Sequence, residues 1–109
     1  MVTKLLERQE IVFEALGDGT RRDILRLLES GPLPVGRIAA QLPVSRPAVS
    51  KHLRTLRAAG LVDFRTDGTR NLFALRESGF EAARAYLDSF WTTALRNFER
   101  LVAEDGNDA

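Results

Sequence analysis

A mostly α-helical α+β fold with one small β-hairpin is what this chain of 109 residues predicts, on three observations. Apolar residues recur every three and four positions near both ends and through the middle, which is the period of helices with one covered face. After Gly60 the spacing changes to strict alternation, the period of a strand. Within that alternating run stands Asp67-Gly68, a pair suited to a tight reversal of direction.

Taken in order, Val2, Leu5, Leu6, Val12, Phe13 and Leu16 predict an amphipathic helix over about residues 2–16. A second helix follows, with Ile24, Leu25, Leu27 and Leu28 on its core side. Asp18 and Thr20 are both suitable caps for it, and Thr20 with Asp23 resembles a capping box. Residues 31–34, Gly-Pro-Leu-Pro, read as a turn between helices. Val35, Ile38, Ala39 and Leu42 then share one face of a short helix, which Pro43 interrupts by keeping Leu42 out of the α region. Ser45 caps the next helix, and Pro47 falls in its first turn, where the missing N–H leaves no bond unmade.

On that helix Val49, Leu53, Leu56 and Gly60 cluster inward, while Pro47, Ser50, Lys51 and Arg54 lie opposite, flanked by Arg46 and Arg57. Long donors on one side of a rod suit base edges and phosphates in a major groove, although the same set would also serve as a plain solvated face. Past Gly60, Val62 and Phe64 alternate with Asp63 and Arg65, Asp67-Gly68 makes the turn, and Phe73 and Leu75 face inward on the return strand. Two strands alone are marginal, so the hairpin must lie on the helices. Arg65 and Arg70 flank its tip within reach of phosphates or a minor groove. A helix-turn-helix over about 34–60 followed by a basic hairpin over about 61–76 is a winged helix.

The run Leu16-Gly-Asp-Gly-Thr-Arg-Arg-Asp-Ile-Leu-Arg-Leu-Leu28, the helix-turn-helix and the Ala59-Gly-Leu-Val62 entry to the hairpin together resemble the ArsR-type bacterial winged-helix transcriptional repressors, over roughly positions 10 to 76. The resemblance implies a small cytoplasmic homodimer that binds double-stranded DNA at an inverted-repeat operator and often releases it when an effector binds. No effector is named by the sequence.

The last periodic segment, about residues 79–102, displays Leu87, Phe90, Trp91, Leu95 and Phe98 on one wide apolar face. A core of some sixty residues cannot cover this stripe as well as that of the N-terminal helix. We therefore expect Leu5, Val12, Phe13, Leu87, Phe90, Trp91, Leu95 and Phe98 to meet a second copy of the chain. Part of the stripe must pack within the subunit, and a small-molecule pocket between these helices is the lesser expectation. Residues 103–109 are acidic and small and predict a frayed end.

Composition bounds the alternatives. The length and a hydrophobic content of 44% fit one globular domain, residues 1–109, with neither an apolar span nor a signal-peptide layout, so no membrane partner is expected. The formal net charge of +1 is unevenly spread. Residues 46–70 hold six basic and two acidic side chains, a local +4, and the remaining ten basic and thirteen acidic give −3. A basic segment on a balanced body fits a polyanion. Charge alone does not distinguish DNA from an acidic partner protein docked on the same face. With no cysteine and only His52, the chain lacks the ligands of a transition-metal site, and Glu77, Glu81 and Asp88 read as solvated helix carboxylates. His52 is expected half-buried, donating to a backbone carbonyl, and it cannot face Ser50 as a dyad from two positions away. Without a nucleophile and base pair, a phosphate loop or paired acids, no catalytic residue and no cofactor are expected.

Overall fold

The computed structural model describes the backbone of residues 2–108 and the side chains of residue 4 and residues 6–105. Helix α1, Val2–Leu16, is followed by α2, Gly19–Leu27, whose last residues tighten into a 3-10 turn at Leu28–Ser30. Strand β1, Leu33–Pro34, leads into α3, Val35–Ala39, then α4, Arg46–Ala58. Strands β2, Val62–Asp67, and β3, Arg70–Leu75, form the hairpin, and α5 runs Glu77–Asp108.

The sheet has three strands in the order β1-β3-β2, all antiparallel. β1 corrects the reading of residues 31–34 as a turn alone, because Leu33 pairs with Phe73 and Pro34 with Leu72. Proline is tolerated there since β1 is an edge strand. The hairpin turn is also shifted by one residue. Asp67 still pairs with Arg70, so the loop is Gly68-Thr69, with φ +63° at Gly68 and no positive φ at Thr69, as in a type II′ turn.

Asp18 is the cap of α2. Its Oδ1 accepts the Arg21 N–H at 3.0 Å, and this bond holds the carboxyl below the usual carboxylate range. Thr20 lies inside the helix instead of capping it. Arg21 and Arg22 close the C-terminus of α1. Arg21 Nε donates to the Ala15 carbonyl at 2.7 Å and Arg22 Nη1 to the Leu16 carbonyl at 2.8 Å. They satisfy carbonyls that the end of a helix leaves without partners.

One core joins these elements. Ile24, Leu28, Ile38, Val49, Leu53, Leu56, Leu61 and Val62 are buried, so both helices of the helix-turn-helix are fixed by the body beneath them. Leu75, expected to face inward, is 38% exposed, because at the end of β3 it borders an open cleft with Leu16, Leu25 and Phe80 instead of closing onto the core. At Gly60, φ is +74°, which ends α4 and frees the chain for β2. The start of α5 is pressed against that same point. The Gly79 N–H donates to the Gly60 carbonyl at 2.8 Å, and a Cβ on Gly79 would lie 2.7 Å from Gly60 backbone atoms.

Helix α5 extends further than the apolar pattern over 79–102 indicates, and it stays helical to Asp108 where residues 103–109 predict fraying. It carries the molecule to a length of 69 Å against widths of 31 and 20 Å. No helix among the described residues is long and apolar enough to cross a membrane.

Candidate nucleic-acid interface

Helix α4 is set at its N-terminus by Ser45, whose Oγ accepts the Ala48 N–H at 3.2 Å. With Val49, Leu53 and Leu56 buried at 1% exposure or less, the opposite face is forced into solvent. Pro47, Lys51 and Arg54 are exposed there, and Ser50 is half-buried on the side toward the hairpin. Neither the Lys51 ammonium nor the Arg54 guanidinium has a hydrogen-bond or ion-pair partner among the described residues. The structure thus presents two unneutralised cations one helical turn apart on a rigid rod.

Between this face and the hairpin lies a groove of about 220 Å³, lined by Ser50, Arg54, Arg57 and Asn71 among others. A second groove of about 420 Å³ runs between the start of α3 and the tip of the hairpin, with Arg37, Arg46, Thr69, Arg70 and Asn71 on its walls. Arg46 Nη1 lies 3.8 Å from where a Cβ on Gly36 would stand, so the guanidinium reaches back from α4 over α3. Arg70 also stands 3.9 Å from Asp67, an exposed pair of small energetic weight, and Arg65 is exposed with no ion pair among the described residues. Arg37, Thr69 and Asn71 were missed from the sequence. Their signal lies in the sheet register and the packing of α3 against the hairpin, not in any local spacing.

Arg57 departs from the expected role of a free phosphate contact. Its Nε donates to Asp63 Oδ1 at 3.1 Å, and its guanidinium lies 4.4 Å from the centre of the Phe64 ring. Asp63 also accepts the Phe64 N–H at 2.8 Å and stands 3.7 Å from Arg76. The Phe64 bond first, then Arg57 and Arg76, hold its carboxyl below the usual carboxylate range. His52 is half-buried and makes no hydrogen bond among the described residues, contrary to the expected carbonyl contact. It lies close enough to Asp18 to favour that carboxylate.

Of the residues expected to meet a second copy, Leu87, Phe90, Trp91, Leu95 and Phe98 are all exposed on α5, with Trp91 at 66% and Phe98 at 62%. Leu101 and Val102 continue the stripe. Phe13 is half-buried against Tyr86, ring centres 4.9 Å apart, and Tyr86 in turn meets Phe90 edge-on at 4.9 Å. Val12 is a correction: it is 2% exposed and belongs to the subunit's own core, because α1 turns that side toward the body. The Leu5 side chain lies outside the described residues.

Among the described residues no cluster of three or more His, Cys, Asp or Glu could hold a metal ion. The neighbouring Glu77 carboxyl pushes the Glu81 carboxyl up, whereas Asp88 stands 3.9 Å from Arg84.

Residues 18–63 match the family described as bacterial regulatory protein, arsR family. The chain is 50% identical over 96 residues to the HTH-type transcriptional regulator Rv2034 of Mycobacterium tuberculosis, covering 88% of this chain and 90% of that protein. Among solved structures, an ArsR-like transcriptional regulator from Rhodococcus sp. RHA1 is similar with a TM-score of 0.73 and 30% identity, over 88% of this chain and 93% of that one. A homodimeric winged helix-turn-helix DNA-binding domain from Mycobacterium bovis is similar with a TM-score of 0.67 and 31% identity, over 90% of this chain and 88% of that one.

Proposed function

This chain belongs to the ArsR family of bacterial regulatory proteins and is a transcriptional regulator with a DNA-binding winged helix, not an enzyme, and from that premise we propose that it acts as a homodimeric repressor of an inverted-repeat operator. The observation that carries the reading is the solvent face of α4, where Lys51 and Arg54 are exposed and unpaired above a buried apolar face. Ser50, Lys51 and Arg54 read the major groove, with Pro47 beside them against the thymine methyls or sugars at its wall. Arg46 holds a phosphate, and Arg57 adds a second when DNA competes with Asp63 for it. Arg65 and Arg70 reach the neighbouring backbone or minor groove from the wing.

The second copy supplies the other half-site. The exposed aromatic stripe of α5 supports pairing of two chains through α1 and α5, and the similar Mycobacterium bovis domain is itself homodimeric. Two α4 helices related by a two-fold axis fit half-sites about one helical turn of DNA apart. The same proposal puts the protein in the cytoplasm beside its DNA and assigns it no membrane partner. The reading includes no transition-metal sensing, because the sequence offers no thiolate and a single imidazole as soft donors.

The test is duplex titration against genomic fragments recovered on the protein. A sequence-specific complex that survives roughly 0.15 M salt is expected, and substitution of Lys51 and Arg54 together by Ala weakens it while lowering the salt slope by about one unit per lost phosphate contact. Unchanged affinity in the double variant overturns the orientation of α4. Weak, sequence-blind binding by the wild type favours instead a module that docks an acidic protein on the same face.

A further inference from the structure

A third cleft lies away from the two grooves beside the wing, where α1, the end of α4 and the start of α5 meet. It measures about 200 Å³ and is lined by Arg8, Arg57, Arg76 and Ser78, with the backbone of Gly60 and Gly79 in its wall. Three arginines line it, and one carboxylate at its edge serves two of them. Asp63 is 3.1 Å from Arg57 and 3.7 Å from Arg76, whereas Arg8 forms no ion pair among the described residues. Among the described residues, these four groups leave two positive charges without an ion-pair partner.

We propose that this cleft binds the phosphate group of a small phosphomonoester. At neutral pH such a group carries close to two negative charges and three acceptor oxygens, which matches the excess charge and offers each arginine an acceptor. Guanidinium forks bind phosphate in pairs of parallel hydrogen bonds, so Arg57 and Arg76 exchange a shared carboxylate for a ligand that serves both. The volume is below that of pockets built for drug-sized ligands, which selects a phosphate on a short carbon skeleton. The Ser78 hydroxyl, which donates to the Gly60 carbonyl at 3.3 Å, is the adjacent neutral polar group.

The site has a path to the DNA face. Arg57 lines both this cleft and the groove that holds Ser50, Arg54 and Asn71. A phosphate in the cleft draws Arg57 inward and withdraws it from the duplex, so the ligand weakens DNA binding. That second step rests on the proposed DNA reading, and occupancy of the cleft does not.

DNA also carries phosphate, so the experiment separates the two sources. The full-length ¹⁵N-labelled protein, free of DNA, is titrated with glycerol 3-phosphate at constant ionic strength, and its duplex affinity is then measured with and without that ligand. Saturable shifts are expected at the Gly60, Ser78 and Gly79 amides, weakened about tenfold or more by Arg8→Gln and by Arg76→Gln and unaltered by Arg37→Gln. The ligand is expected to lower duplex affinity several-fold in the wild type and not in Arg8→Gln. Shifts that do not saturate, that persist in both cleft variants, or that appear on the Lys51 and Arg54 face overturn the site. Cleft binding with unchanged duplex affinity overturns its coupling to DNA. Cleft shifts in a protein that binds no duplex sink the repressor reading and leave the site standing.

Discussion

Helix α4 and the outer part of α5 carry apolar residues at the same three-and-four spacing, yet they end in opposite surroundings. In α4, Val49, Leu53 and Leu56 disappear beneath α2, α3 and β2, and the polar remainder becomes a defined outward face. On α5, Leu87, Phe90, Trp91 and Phe98 each stay more than half exposed, although the aromatic content of that stripe is higher. Periodicity says that a face requires cover, and it does not say which molecule supplies it. The body of the chain answers for α4, because its helices and sheet close around one core. It cannot answer for α5, because a helix of 32 residues is about 48 Å long and outruns that body.

The largest expected effect falls on the covered face. Leu56 is fully buried, so Leu56→Ala removes most of a core side chain and leaves a void, at a cost of about 2–5 kcal/mol. Equilibrium unfolding in urea should show this loss at any protein concentration. Were Leu56→Ala to lose no stability, α4 would not be anchored as described and its outward face would have no fixed orientation.

Next in size is the uncovered face. Truncating Trp91 and Phe98 to Ala should leave the stability of an isolated subunit within about 0.5 kcal/mol, since surface changes rarely do more. The same pair should weaken self-association by about 2 kcal/mol or more, as aromatic anchors at the centre of an interface do. Sedimentation equilibrium measures the second quantity. The midpoint of thermal unfolding should depend on protein concentration in the wild type and lose that dependence in the variant. Equal association of both proteins would show that this stripe is not where the copies meet.

The same contrast explains how much could be read before any coordinates. The helix-turn-helix was legible because its signals are local: Ser45 and Pro47 start α4, Gly60 stops it, and the intervening spacing decides which side is buried. The wing was legible for the same reason, and its turn was misplaced by one residue because either Asp67-Gly68 or Gly68-Thr69 supplies the required positive φ at Gly68. Features made by contacts distant in sequence were not legible. β1 exists only because Phe73 and Leu72 lie opposite Leu33 and Pro34. The capping role of Arg21 and Arg22 has no local signal, because nothing nearby in sequence shows that the carbonyls at the end of α1 lie within their reach. Val12 fell on an apolar face without any sign of which body that face would meet.

The smallest expected effect tests a residue that only packing reveals. Arg37 is exposed on α3 and shares a groove with Arg46 and Arg70, so a DNA strand crossing between α3 and the wing meets three guanidinium groups. Arg37→Gln leaves a shorter, neutral polar side chain and removes one charge. It should weaken every duplex by a similar factor, several-fold at roughly 0.15 M salt, and reduce the slope of log affinity against log salt by about 0.9. Its preference among operator variants should stay as it was, since a phosphate contact positions the protein without reading bases. Losing that preference would place Arg37 at a base edge, and an unaltered slope would mean that the strand passes elsewhere. Arg37 also lies far from the apolar stripe, so the variant should associate like the wild type. The solvated face of the body and the uncovered face of α5 can therefore be broken one at a time, which a single continuous interface would not allow.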